Sequence, residues 1–250
     1  MKIIAPLYIL FFLSLIPTGQ AAELTKEFNT QDGFTIHLPK NWVQIPNEVL
    51  RQVFERISQL APKAEKQTWD YGFQLNQNGY WMRYPYILIQ VKRVGRISEA
   101  ELKKSINEEF SKEKDKLSST TSNAQLRETV YDSKNKILWT IISANVKGTG
   151  IVNGQCAFKL TDFGIIKVMG YAKANTFSTY QPIFQEIAKQ INLDKSINYK
   201  AQKEDTPWLS PGPNNSLTYR FLVAGTGGAI ITGIFGLIII ILKKIKKKRL

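Results

Sequence analysis

The side chains that carry most biological chemistry are scarce in this chain, which has one histidine, His37, and one cysteine, Cys156. Serine or cysteine catalysis needs a base within hydrogen-bond reach of the nucleophile, so a conventional triad would have to run through His37. That residue falls on the polar face of an alternating run, Phe34-Thr35-Ile36-His37-Leu38, where it reads as a strand residue facing solvent. Cys156 lies in Ile151-Val152-Asn153-Gly154-Gln155-Cys156-Ala157-Phe158, an apolar setting that buries a thiol and keeps it inert. A zinc site needs several Cys or His at short spacing, and one of each does not supply it. Gly148-Thr149-Gly150 lacks the further glycines and the following helix of a phosphate cradle. Glu108-Glu109 belongs to a charged helix face, and no spaced acidic loop suggests calcium. The sequence therefore assigns no catalytic residue, no metal ligand and no cofactor.

Two constellations suit binding better than bond-breaking. Trp69, Tyr71, Phe73, Tyr80, Trp81, Tyr84 and Tyr86 crowd one stretch beside Arg83, Lys92 and Arg93. Aromatic rings with arginine dominate interaction hot spots, so Trp69, Trp81, Arg83 and Tyr84 are a candidate partner surface. Strand alternation would bury half of these rings, and core packing is the competing account. Near the C-terminus, Gly225, Ala229 and Gly233 recur every four residues, as do Gly228, Thr232 and Gly236. Small residues at that spacing let membrane helices approach closely, which points to a homodimer or to docking on another span, although glycine is common in spans generally.

Those small residues lie in Phe221 to Leu242, an apolar run without a charge, followed at once by Lys243, Lys244, Lys246, Lys247, Lys248 and Arg249. At about 1.5 Å per residue the run makes a helix of roughly 33 Å, enough to cross a hydrocarbon core of about 30 Å. At the other end, Met1-Lys2, the apolar Ile3 to Ile16 and Pro17-Thr18-Gly19-Gln20-Ala21 have the parts of a secretory signal peptide cleaved after Ala21. An uncleaved anchor is the alternative, but the run is short and contains Pro6. The positive-inside rule then places the basic stop in the cytoplasm and residues 22–220 outside. The expected topology is single-pass. In a bacterium this is an inner-membrane protein with its bulk in the periplasm, and in a eukaryote a lumenal or surface protein. Lys247-Lys248-Arg249-Leu250 also meets the pattern of a retrieval signal for the endoplasmic reticulum, and a protease-removed sorting tail is a further reading.

Between the two apolar ends lie 27 basic and 20 acidic residues, a net charge of +7. Such a surface suits an anionic membrane face or an acidic partner, whereas export argues against nucleic acid. A single cysteine allows no internal disulfide, so the exported domain must be held by its core.

Hydrophobic periodicity outlines that domain. Short strands are expected at 34–38 and 42–43, then a helix from Asn47 with Val49, Leu50, Val53, Phe54, Ile57 and Leu60 on one face, stopped by Pro62. Strands follow at 69–75 and 84–94, with Asn78-Gly79 as a turn between them. Ser98 and Glu101 form a capping box, with Ile97 stapled to Leu102, for a helix ending near Leu117. After a polar break at 118–123, strands at 125–131, 137–146, 151–160 and 164–174 make an antiparallel meander, and a helix over 178–193 closes the domain. The polar stretch from Asp194, rich in Pro, Gly and Asn, reads as a tether. The predicted organisation is a signal peptide (1–21), an exported α+β domain (22–193), a linker (194–220), a transmembrane helix (221–242) and a basic cytoplasmic tail (243–250). Strands and helices are segregated, which argues for an antiparallel sheet covered by helices.

The opening Phe34-x-Ile36-x-Leu38-Pro39-x-x-Trp42, and the closing Tyr171-Ala172 followed by Phe177-x-x-Tyr180-x-Pro182-x-Phe184-x-x-Ile187, resemble PsbP-like proteins and their exported bacterial relatives over about residues 28–193. The chain departs from that pattern by an insertion over about 46–78 and by a C-terminal span in place of N-terminal lipidation. The resemblance implies an α/β/α sandwich and a non-enzymatic accessory or assembly domain beside a membrane protein complex. Tethering would raise its effective concentration near a membrane partner. The alternative is an exported hydrolase or lipid-modifying enzyme that uses carboxylate or tyrosine side chains. A signalling module coupled through span dimerisation is a third reading, for which the tail is too short to hold an output domain.

Overall fold

A computed structural model describes residues 24–60, 68–116, 121–127, 129–146 and 148–200. The predicted signal peptide, the span with its small-residue rows, the basic stop and residues 201–220 lie outside the described residues. Among the described residues no helix is long and apolar enough to cross a membrane.

The longest apolar runs form the middle of a large antiparallel sheet: β5 (Tyr86–Arg93), β8 (Ile137–Val146), β9 (Gly150–Thr161) and β10 (Gly164–Lys173). With β3 (Trp42–Gln44), β4 (Tyr71–Leu75) and β6 (Thr121–Leu126) the order is β3-β4-β5-β10-β9-β8-β6, and β7 (Val130–Asp132) also pairs with β8. The last three of the four strands predicted as a meander are β8-β9-β10, and β10 lies beside β5 on its other edge. Because β5 is covered on both faces, both of its alternating sets are apolar. Tyr86 and Leu88 enter one core, Ile87 and Ile89 the other, so its sequence shows a run instead of an alternation.

On one face lie α1 (Asn47–Leu60) and α2 (Glu99–Lys116), which send Leu50, Val53, Phe54, Ile57, Leu102 and Ile106 against the sheet. The capping box of α2 forms as expected: Glu101 N–H donates to Ser98 Oγ at 3.3 Å, and Ser98 N–H to Glu101 Oε2 at 2.9 Å. On the other face lie α3 (Ala174–Lys189) and a three-stranded sheet of β1 (Leu24–Asn29), β2 (Phe34–Pro39) and β11 (Asn192–Leu193), ordered β1-β2-β11. Phe184 and Ile187 of α3 meet Ile36 and Leu38 of β2 and Val168 of β10 there. The fold is thus a mixture of antiparallel sheets and covering helices, as the segregated order of elements predicts.

The sequence leaves one point open, and three expectations need correction. First, the sequence does not say how its first two short strands pair, and β2 and β3 belong to different sheets. Only a bend at Lys40 and Asn41 separates them, yet β2 pairs with β1 and β11 while β3 pairs with β4. Pairing of such short strands is decided by what each face can bury, which local alternation does not encode. Second, the strand predicted over 125–131 is two strands, β6 and β7, both on β8, with a register shift inside β6. Third, α3 starts and ends four residues early. Lys173 is still extended (φ −64°, ψ 149°), and the polar Ala174-Asn175-Thr176 forms the first helical turn without a side-chain cap.

Fourth, the chain after α3 does not leave the domain at Asp194. Asp194 N–H donates to Gly33 O at 3.0 Å, and Asp162 N–H donates to Ile197 O at 3.1 Å. Lys200 N–H donates to Asp162 Oδ1 at 3.1 Å, and Tyr199 is buried with the Arg96 guanidinium 4.7 Å from its ring centroid. Ile197 and Tyr199 are the apolar residues that bring this polar stretch back onto the core.

Candidate functional site

The aromatic stretch is shaped by one polar side chain. Gln74 sits on β4, where Tyr71, Phe73 and Leu75 face the α3 side, and its own side chain lies buried on the side of α1 and α2. Its Nε2 donates to Tyr80 O at 2.6 Å, and its Oε1 accepts from Met82 N–H at 2.7 Å. Both ends of one amide therefore clip the loop 76–85 onto the sheet. Gln77 Nε2 adds a bond to Tyr84 O at 3.2 Å. Asn78 and Gly79 make the expected tight turn with φ of 52° and 80°, which closes this loop and not a two-residue hairpin. Met82, with φ 57°, is driven wholly into the core.

That anchor leaves Tyr80 and Arg83 outward. Tyr80 is 49% exposed, and the exposed Arg83 holds its guanidinium 4.4 Å from the centroid of that ring. Trp81 and Tyr84 are half-buried at the edge of the patch, and Tyr84 stacks on Tyr86 with centroids 5.1 Å apart. Burial pushes the Tyr84 and Tyr86 phenols above their usual range, so neither serves as a ready base. Trp69 is not on this surface: it is 7% exposed and packs against Phe54 with centroids 6.1 Å apart. Of the four residues nominated from sequence, Arg83 is exposed, Trp81 and Tyr84 are partly buried against the core, and Trp69 is buried within it. Tyr80, which pairs with Arg83, was not among the four.

The residues considered for chemistry are kept apart. His37 Nδ1 stands 3.2 Å from Gln190 O in the layer of the small sheet. Cys156 is fully buried on the opposite face of the large sheet, where burial pushes its thiol pKa up. Asp32 accepts from Tyr71 OH at 2.6 Å and from Arg93 Nη2 at 2.8 Å. This cluster ties the β1–β2 turn to the large sheet. Burial first, and then Asp32, pushes the Tyr71 phenol up to about 12, the opposite of what an activated tyrosine needs. Among the described residues no group of three His, Cys, Asp or Glu could hold a metal ion.

No family model matches the chain, and no curated protein matches it. Among solved structures it is similar to the solution structure of cyanobacterial PsbP (CyanoP) from Synechocystis sp. PCC 6803. Identity is 10%, the match covers 67% of this chain and 91% of that one, and the TM-score is 0.42.

Sequence reasoning missed Gln74. The available signal was its type: Gln74, Gln90, Gln155, Lys159 and Lys167 are long polar side chains in strands that are otherwise buried. A polar group held in such a place needs a partner, so each marks a specific contact.

Proposed function

We propose that this chain is a membrane-tethered, non-enzymatic binding or assembly domain on the exported side of the membrane, and that it engages a protein partner through Tyr80, Arg83 and the exposed edges of Trp81 and Tyr84. The observation that carries this reading is the Arg83–Tyr80 pair displayed on a loop whose middle, at Tyr80 and Met82, is held by both ends of the Gln74 amide. Arginine and tyrosine are the side chains that most often anchor interfaces. A loop already held in shape loses little entropy on docking, so more of the contact energy appears as affinity. The apolar run 221–242 and its basic stop supply the tether, which confines the patch to the membrane surface and raises its effective concentration there.

The test is crosslinking in cells followed by mass spectrometry, on the full chain, on a version lacking residues 221–250, and on Tyr80→Ala/Arg83→Ala. The expected result is one dominant membrane partner, reduced in both altered versions. Recovery of the same partner from the Tyr80→Ala/Arg83→Ala chain rejects the loop as the docking surface; recovery from the shortened chain rejects the tether.

A further inference from the structure

At the end of the strands opposite the loop 76–85, a cleft of about 400 Å3 opens between the β7–β8 turn and the segment that follows α3. The turn contributes Lys134, Asn135 and Lys136, β9 contributes Lys159, and the returning segment contributes Asn192 and Asn198. No carboxylate lines it.

Lys159 is the unusual member. It alternates with Phe158 on β9, lies beneath the end of α3 and is only 8% exposed. An ammonium has three donors to satisfy. Among the described residues this one makes a single long bond, 3.4 Å to Asn135 O, and no carboxylate is within ion-pair distance of it. The nearby Asp132 acts on it only through space, because its carboxylate is spent on the turn. Its Oδ1 accepts from the N–H groups of Lys134 and Asn135 at 3.1 Å each, and its Oδ2 accepts from Asn135 Nδ2 at 2.6 Å. Burying a cation without a full set of acceptors is costly, and an anion in the cleft would remove that cost.

The donor set narrows the anion. Three ammoniums with no carboxylate among them offer three positive point charges around one cleft, which match the multiple charge gathered on a compact phosphate group better than a singly charged carboxylate. The side-chain amides of Asn192 and Asn198 can donate to further oxygens. The volume falls in the range of small-ligand pockets, about 300–1,000 Å3. We infer that this cleft binds a phosphate monoester or pyrophosphate group, carried by a soluble molecule or by a lipid headgroup.

Titration calorimetry on the full chain in neutral detergent micelles tests this, with sodium pyrophosphate, dihexanoyl phosphatidic acid and citrate as probes. Saturable binding of at least one phosphate probe is expected, weakened about ten-fold or more by Lys159→Met and by Lys134→Gln/Lys136→Gln. Citrate should bind about ten-fold more weakly than that probe. Pyrophosphate binding alone assigns a soluble ligand, and binding of phosphatidic acid assigns the headgroup. The double variant alters only the turn, so it remains decisive even where thermal melting shows that Lys159→Met has not folded. Absence of saturable heat from both phosphate probes, unchanged affinity in the double variant, or citrate binding as tightly as phosphate overturns the inference.

Discussion

Asp32 shows how one side chain ties distant elements together. Burial opposes its ionisation, but the bonds from Tyr71 and Arg93 outweigh it and hold the carboxyl below its ordinary value of 3.8. A carboxyl with a lowered folded pKa contributes stability that is fully present above the unfolded value and is lost as pH falls through the folded one. Asp32→Asn is therefore expected to lower unfolding free energy by about 1 kcal/mol at neutral pH, since Arg93 is half-exposed and solvent weakens its share. The difference from the parent should shrink below pH 3.8, which urea unfolding in neutral and acidic buffer would measure. Trp69 and Arg83 separate core from surface in the same way. Trp69→Ala should cost about 3–5 kcal/mol through the cavity it leaves. Arg83→Ala should change stability by no more than about 0.5 kcal/mol, and thermal melts of the pair would show the contrast. Sequence alone placed both among candidates because an aromatic–arginine stretch has the same composition whether its rings point inward or outward. What separates them is that Trp69 points at Phe54, a contact made by the tertiary fold.

The elements differ in how far their own residues specify them. Helix α2 was legible to within a residue or two because Ser98, Glu101, Ile97 and Leu102 encode its start locally. Helix α3 was not, because its first turn carries no capping side chain and is held instead by Phe177 and by docking on β9 and β10. That docking has a polar part, in which Gln181 Nε2 and Gln185 Nε2 reach Gln155 Oε1 at 2.9 and 3.4 Å. It also has a close apolar approach at Gly170, where an added Cβ would stand 2.2 Å from Phe184 Cγ. Gly170→Ala must therefore shift Phe184 or lift the helix, and the expected cost is about 1–3 kcal/mol in chemical denaturation.

At the scale of the whole molecule, the chain is expected to fractionate with membranes through residues 221–242. Deleting residues 221–250 should release the domain into the soluble exported fraction. Carbonate extraction of both versions checks this, and release of the intact chain by carbonate would refute the span. The sequence by itself determined the periodic features: the run of β5, the meander, the two helix starts at Asn47 and Ser98, and the scarcity of catalytic side chains. These are legible because periods of about 2 and 3.6 residues and capping pairs act between near neighbours. Only the tertiary structure decided that β2 and β3 part company, that residues 194–200 return to the core, that Gln74 clips the loop beneath Arg83, and that Lys159 meets Lys134 and Lys136 across one cleft. The physical reason is the same in each case. These contacts join parts of the chain whose pairing depends on which surfaces the rest of the fold leaves to be buried, and no local pattern carries that information.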